Sequence, residues 1–246
     1  MRFVSFFAGI GGFDLGLERA GHECVGQVEI DPYALGVLEK HWPNVPRFGD
    51  IRTLDAATLP DAELWCGGFP CQPFSVAGKR GGTDDKRDLW PAWFALVARR
   101  RPQWIFGENV PGLLSAEGGK AWGRVLRDLA SVGYVAEWTV LSARDVGAPH
   151  RRERLWIVAE SAYAAGYRLE AYPQQRVVCE PAVYEEQRAR RFSEMGFAGQ
   201  WLRPRPIGAR PVGVGNGIPS DVDRLRCLGN AVVPQVVEAI ARKVWG

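Results

Sequence analysis

One cysteine stands between two prolines in the stretch Phe69-Pro70-Cys71-Gln72-Pro73-Phe74-Ser75, directly after a short apolar run at residues 64–66 and the glycine pair Gly67-Gly68. Pro70 has no N–H and Pro73 fixes its own φ, so the backbone on either side of the thiol is stiff. The glycines let a ligand or a neighbouring chain segment approach closely. This is a suitable mount for a nucleophile, although Cys71 read alone is more simply a buried thiol in a kinked loop, the commoner fate of a free cysteine. Two further blocks change the balance. Glu108, in Gly107-Glu108-Asn109-Val110, follows a second apolar run at residues 104–106, and Arg151-Arg152-Glu153-Arg154 precedes a third at residues 155–158. A thiol, a carboxyl group and guanidinium groups are the parts of nucleophilic and acid–base chemistry.

Two more blocks lie near the ends, Phe7-Ala8-Gly9-Ile10-Gly11-Gly12 and Gly229-Asn230-Ala231-Val232-Val233-Pro234. In this order the five blocks resemble the cytosine-specific, carbon-5 DNA methyltransferases, whose Pro-Cys-Gln, Glu-Asn-Val, Arg-x-Arg and Gly-Asn signatures all appear. The resemblance covers residues 1 to about 160 and about 225 to 246, and it is the combination of blocks that is specific, not any one of them. It implies a DNA (cytosine-5)-methyltransferase that moves a methyl group from S-adenosylmethionine to a flipped-out cytosine. Cys71 would add to ring carbon 6, Glu108 would hold ring nitrogen 3 and the exocyclic amine, and Arg154 the carbonyl oxygen. Arg152 would help fix Glu108 or the surroundings of Cys71. By the same resemblance Phe7, Gly9, Gly11, Glu29, Ile30, Asp50, Ile51, Pro70 and Asn230 bind the cofactor. Ser75, Lys79, Arg80, Arg151, Arg203 and Arg205 would meet double-stranded DNA. The family usually carries an aromatic residue at the place of Ile30 and more often a glutamine at that of His150. A tRNA-methylating branch shares the motifs, and a binding-only relative would keep the fold, but the intact Cys71, Glu108 and Arg154 argue against loss of turnover. A monomer without a metal is implied, bacterial or phage-encoded.

At 246 residues the chain has room for one sizeable α/β domain and a small accessory region. Hydrophobic residues at 46% and charged residues at 24% are ordinary for a soluble globular protein, and no long apolar run or leader pattern indicates membrane insertion or export, which leaves the cytoplasm. The five cysteines are scattered and lack the Cys-x-x-Cys spacing of zinc sites, so reduced thiols are expected. A net charge of +3 is a weak field for attracting nucleic acid. Its distribution says more. Arg144 to Arg226 holds 14 arginines, no lysine and 10 carboxylates. Guanidinium forks suit phosphate and guanine, although the whole chain is arginine-rich.

The elements that must position these groups alternate between strand and helix. Residues 2–7 read as a buried strand, 8–12 as a tight glycine loop and 13–20 as a helix closed by Gly21. Asp14 occupies the place where a dinucleotide fingerprint wants its third glycine, which speaks against NAD and suits a cofactor without a pyrophosphate. A second strand at 23–28 leads to Glu29, an acid about 20 residues past the glycine loop and placed for ribose hydroxyls. Asp31 reads as the N-cap of a helix at 32–41 that Pro32 opens. Asp50-Ile51 stands at a further strand end, where a plain surface aspartate would look the same. Residues 76–88 are glycine-rich, charged and aperiodic, and by the resemblance form the loop that closes over the base. Helices at 89–100 and 120–132, strands at 104–107, 134–140 and 155–159, and a terminal helix from Pro234 complete the pattern.

The expected fold class is therefore α/β, a Rossmann-like methyltransferase sheet, largely parallel, with helices on both faces. Its last two strands lie too close for a helical crossover and should pair antiparallel. Gly9, Glu29, Asp50, Cys71 and Glu108 all fall at carboxyl ends of strands, where such sheets gather their ligands. Residues 1–160 form the catalytic and cofactor-binding region. Residues 161–220, rich in Pro, Gly and Arg with one helix at 180–195, form a short target-recognition region. Residues 221–246 return to the catalytic region and bring Asn230 beside the first glycine loop.

Overall fold

Short apolar strands and amphipathic helices assemble into one seven-stranded sheet in the computed structural model, which describes residues 1–70, 88–162 and 219–246. The strands are β1 (Arg2–Phe6), β2 (Glu23–Val28), β3 (Arg47–Phe48), β4 (Leu64–Gly68), β5 (Trp104–Asn109), β6 (Tyr134–Ser142) and β7 (Glu153–Ser161). Their order across the sheet is β3-β2-β1-β4-β5-β7-β6. All neighbours from β3 to β5 run parallel, and β7 lies antiparallel to both β5 and β6. The turn of residues 143–152 is indeed too short for a crossover helix. Because β1 is flanked by β2 on one side and β4 on the other, the chain winds in opposite directions from it, and a crevice opens beyond the carboxyl ends at that point.

The described residues include six α-helices packed with the sheet: α1 (Gly12–Arg19), α2 (Pro32–His41), α3 (Trp90–Arg100), α4 (Lys120–Ser131), α5 (Pro219–Asn230) and α6 (Pro234–Trp245). Successive strand residues point to opposite faces. Val4, Trp65 and Ile105 accordingly join Trp93 of α3 and Trp122 of α4 on one face, while Phe3, Leu64, Cys66 and Phe106 join Leu17 of α1 and Val237 of α6 on the other. Parallel strands buried on both faces read as continuous apolar runs for this reason. Close contact of α1 with α6 depends on Gly16, whose missing Cβ would lie 2.5 Å from Val237 Cβ and 2.6 Å from the Pro234 carbonyl oxygen.

Asp14 turns from α1 into the sheet. Its carboxyl group accepts from Ser5 Oγ at 2.9 Å, Cys24 Sγ at 3.2 Å and Gln27 Nε2 at 2.8 Å, and burial pushes its pKa up despite those bonds. The position where a nucleotide fold would need a third glycine thus serves the core.

Several boundaries differ from the sequence expectation for local reasons. β1 stops at Phe6 because Phe7 adopts φ +52°, the left-handed region. β5 runs on through Glu108 and Asn109, and β7 starts at Glu153, so Glu108 is held in the β5–β7 ladder opposite Trp156 and Arg154 in the β6–β7 ladder opposite Leu141, not by a loop. α5 is new, because residues 219–230 carry little apolar periodicity. The helix expected at 180–195 lies outside the described residues. No described helix is long and apolar enough to cross a membrane.

Candidate active site

The crevice has two sides. On the β1–β2 side, the chain leaves β1 through Gly9 and Gly11, at φ +55° and +85°, conformations that an L side chain seldom adopts. Glu29, just past β2, faces this loop. Its Oε2 accepts from the Gly9 N–H at 2.7 Å, and its Oε1 accepts from the N–H groups of Ile30 at 2.7 Å and Asp31 at 2.8 Å. Asp31 caps α2 as expected, Oδ1 accepting from Tyr33 and Ala34. Its Oδ2 meets Arg226 of α5, 195 residues on. Ile30 is 57% exposed, an unusual position for a large aliphatic side chain. Asp50 is clamped by Arg52, whose hydrogen bonds hold its carboxyl below the usual carboxylate range, and Ile51 behind it is buried. Phe7 lies edge-on to Trp93, with centroids 6.0 Å apart.

The β4–β5–β7 side holds Glu108. Gly68 is registered against it across the sheet, and a Cβ on Gly68 would lie 2.9 Å from Glu108 Oε2. The second of the paired glycines therefore makes room for a carboxyl group. Gly67 lies as close to β1, since its Cβ would meet the Phe6 carbonyl oxygen at 2.7 Å. Arg154 Nε reaches Glu108 Oε1 at 2.9 Å, and Arg154 Nη1 donates to the Glu153 carbonyl at 2.7 Å. Burial raises the Glu108 pKa to about 7, outweighing the opposite pull of Arg154 and Arg152. Near neutral pH the group can therefore either donate or accept a proton.

Arg152 does something the sequence did not reveal. Its Nη1 and Nη2 donate to the carbonyl oxygens of Gly229 and Ala231, each at 2.7 Å, on the segment that returns from α5 to α6. Asn230, between those carbonyls, is exposed. Asn109 is a second residue that sequence reasoning missed. It is buried, its Nδ2 donates to the Phe69 carbonyl at 2.8 Å and its Oδ1 accepts from the Val110 N–H, so it fixes the chain two residues before Cys71. The Pro70 carbonyl accepts from the Leu89 N–H at 3.5 Å. Arg151 is exposed and paired with Glu153. Cys71, Ser75, Lys79, Arg80, Arg203 and Arg205 lie outside the described residues. Among the described residues no cluster of His, Cys, Asp and Glu could hold a metal.

Residues 1–189 match the family described as C-5 cytosine-specific DNA methylase. The Type II methyltransferase M.HhaI of Haemophilus parahaemolyticus is 38% identical over 159 residues, covering 64% of this chain and 48% of that protein. M.NlaX of Neisseria lactamica is 34% identical over 216 residues, covering 81% and 69%. The chain spans about half the length of relatives such as M.HhaI. Among solved structures, a putative DNA modification methyltransferase encoded within an E. coli prophage superposes with a TM-score of 0.59 at 26% identity, covering 67% of this chain and 48% of the other. The Entamoeba histolytica methyltransferase EhMeth shares the fold over 99% of this chain and 97% of its own, with a TM-score of 0.63 at 14% identity.

Proposed function

The chain belongs to the C-5 cytosine-specific DNA methylase family, and from that premise we propose that it methylates carbon 5 of cytosine in double-stranded DNA with S-adenosylmethionine as donor. The observation that carries this reading is Glu108, a buried carboxyl group with its pKa raised to about 7 and a guanidinium at 2.9 Å, at the end of the strand beside the one that leads to Cys71.

Carbon 5 of cytosine is too weak a nucleophile to take a methyl group unaided. In the proposed course the Cys71 thiolate forms a bond to carbon 6, and the ring electrons so displaced are drawn toward ring nitrogen 3. Glu108 in its acid form donates a hydrogen bond there, and Arg154 donates to the carbonyl oxygen. Once carbon 5 carries the methyl group, its proton departs, the bond to Cys71 breaks and the aromatic ring is restored. A carboxyl group as buried as Glu108 is out of reach of a stacked base, so the cytosine has to be flipped out.

S-adenosylmethionine, when bound, supplies the methyl group. The residues on the β1–β2 side fit it: Glu29 keeps a lone-pair site on Oε2 for a ribose hydroxyl, and a Cβ on Gly9 would find only the Phe7 carbonyl, at 3.9 Å, so its backbone is open to close approach. Ile30 offers an aliphatic surface to the adenine in place of an aromatic one. Asp50 would hold the adenine amino group in competition with Arg52. Residues 161–220 would read the target sequence, with Arg203 and Arg205 among the contacts.

The test is transfer of labelled methyl from S-adenosylmethionine to duplex DNA and, in parallel, to tRNA, with bisulfite sequencing of the product. Label at cytosine in DNA is the expected result. Label in tRNA alone would replace the substrate, and label in neither would sink the activity.

A further inference from the structure

We propose that Arg152 is a positioning residue for the cofactor side of the site, acting through hydrogen bonds to the returning segment that carries Asn230, and not a hydrogen-bonding member of the base pocket, which only its charge reaches. This rests on the reading of the β1–β2 side as the S-adenosylmethionine site.

Three observations converge on that segment. Arg152, at the entry to β7, donates to the carbonyls on either side of Asn230, so both hydrogen-bonding arms of its guanidinium are engaged with the backbone of residues 229–231 and its position fixes theirs. The next residue is wedged against the glycine loop: a Cβ on Gly12 would lie 2.5 Å from the Val232 carbonyl oxygen. The Val232 side chain reaches the other side of the crevice, where a Cβ on Gly68 would sit 3.6 Å from its Cγ2 and 2.9 Å from Glu108 Oε2. The segment therefore runs along the seam between the glycine loop and the buried carboxyl group, seated by contact at Val232 and tethered by Arg152 at Gly229 and Ala231.

Nothing else among the described residues ties those two carbonyls down. Gly229 has open space where a side chain would be, and Asn230 is exposed. Upstream, α5 is held to the rest by the Arg226–Asp31 pair, whose arginine is 53% exposed and adds little by itself. Hydrogen bonds from a charged donor are stronger than neutral ones, and Arg152 makes two of them from a half-buried position. Its fork geometry matters, because an ammonium group could not span two carbonyls two residues apart in the same way. Arg154, two residues on and inside β7, points instead at Glu108. The Arg-x-Arg pair is thus divided: one guanidinium for the base, one for the segment that faces the cofactor.

The decisive measurement is S-adenosylmethionine affinity by calorimetry on the full chain without DNA, together with steady-state KM and kcat. For Arg152→Ala the dissociation constant should rise about tenfold, the size of a lost charged hydrogen bond. The loss should fall on KM for the cofactor more than on kcat. Arg152→Lys, able to keep one of the two bonds, should recover part of the affinity. Should Arg152→Ala fail to fold, Arg152→Lys and Arg152→Gln carry the same comparison. An unchanged cofactor affinity with a large fall in kcat would return Arg152 to the base pocket and overturn the proposal. Failure of the unaltered protein to bind S-adenosylmethionine would overturn the functional reading itself, which is a different outcome.

Discussion

Two glutamates at strand ends, Glu29 and Glu108, face the same crevice from opposite sides and are built for opposite tasks. Glu29 is half-exposed and accepts three backbone N–H groups, from Gly9, Ile30 and Asp31. Glu108 is buried, has no backbone donor among the described residues, and faces Arg154 through one oxygen and the bare Cα of Gly68 with the other. Residue type alone therefore decides neither role. A carboxyl group surrounded by amides at a solvent-facing strand end is a fixed acceptor, whereas one enclosed in the sheet with its pKa near neutrality can give up or keep a proton. Asp14 shows a third outcome, a buried carboxyl group absorbed by Ser5, Cys24 and Gln27 with no opening to the crevice.

The largest effect should come from removing the proton at Glu108. Glu108→Gln keeps the shape but cannot ionise, and methyl transfer should fall by about 10² or more while S-adenosylmethionine affinity holds. Activity of the unaltered protein should decline as pH rises through about 7, where the acid form is lost, and the variant's residual activity should lack that step. Stability supplies a second readout. A carboxyl pKa raised from 4.5 to about 7 means that the folded state holds a proton the unfolded chain gives up. The resulting stabilisation is complete below about 4.5 and is lost as pH rises through about 7. Its ceiling is about 3 kcal/mol. Urea melts from pH 5 to 8 should show a flatter profile for Glu108→Gln than for the unaltered protein. Parallel profiles would mean that Glu108 does not titrate there.

Gly68→Ala tests the same side from its neighbour. The new methyl group would crowd Glu108 Oε2 at 2.9 Å, and the carboxyl group would have to leave its place beside Arg154. Turnover should drop about tenfold, the cost of a displaced donor, with cofactor affinity little changed. On the other side, Glu29→Ala removes one acceptor from three N–H groups and from the ribose, so the S-adenosylmethionine dissociation constant should rise about tenfold, and kcat at saturation should fall less. An unchanged affinity would leave Glu29 as a turn-forming acid.

How well each side could be read in the sequence follows from how local its causes are. Glu29 and Asp31 were legible because strand end, N-cap and Pro32 are neighbours in the chain, and their partners, Gly9 and Arg226 apart, lie within three residues. Glu108 and Arg154 were legible only as members of recurring blocks. Their pairing is made by the antiparallel β5–β7 ladder, in which Asn109 lies opposite Leu155. The reason for Gly68 needed the β4–β5 register, and the partners of Arg152 lie 77 and 79 residues away. α5 escaped notice because its sequence carries little apolar periodicity, and the ion pair that joins it to α2 spans 195 residues.

Asp31 gives the smallest expected effect and separates the local from the distant cause within one side chain. Oδ1 caps α2, and Oδ2 meets Arg226. Asp31→Ala removes both and should cost about 1 kcal/mol for the cap, with under about 1 kcal/mol more for the exposed pair. Asp31→Asn keeps an oxygen for the Tyr33 and Ala34 amides and loses the charge, so thermal melts should place it close to the unaltered protein. If the asparagine variant instead melts as low as the alanine one, the pair with Arg226 outweighs the cap. α5 would then be fastened to the cofactor side by charge, and raising the salt concentration should lower the unaltered protein to the level of the asparagine variant.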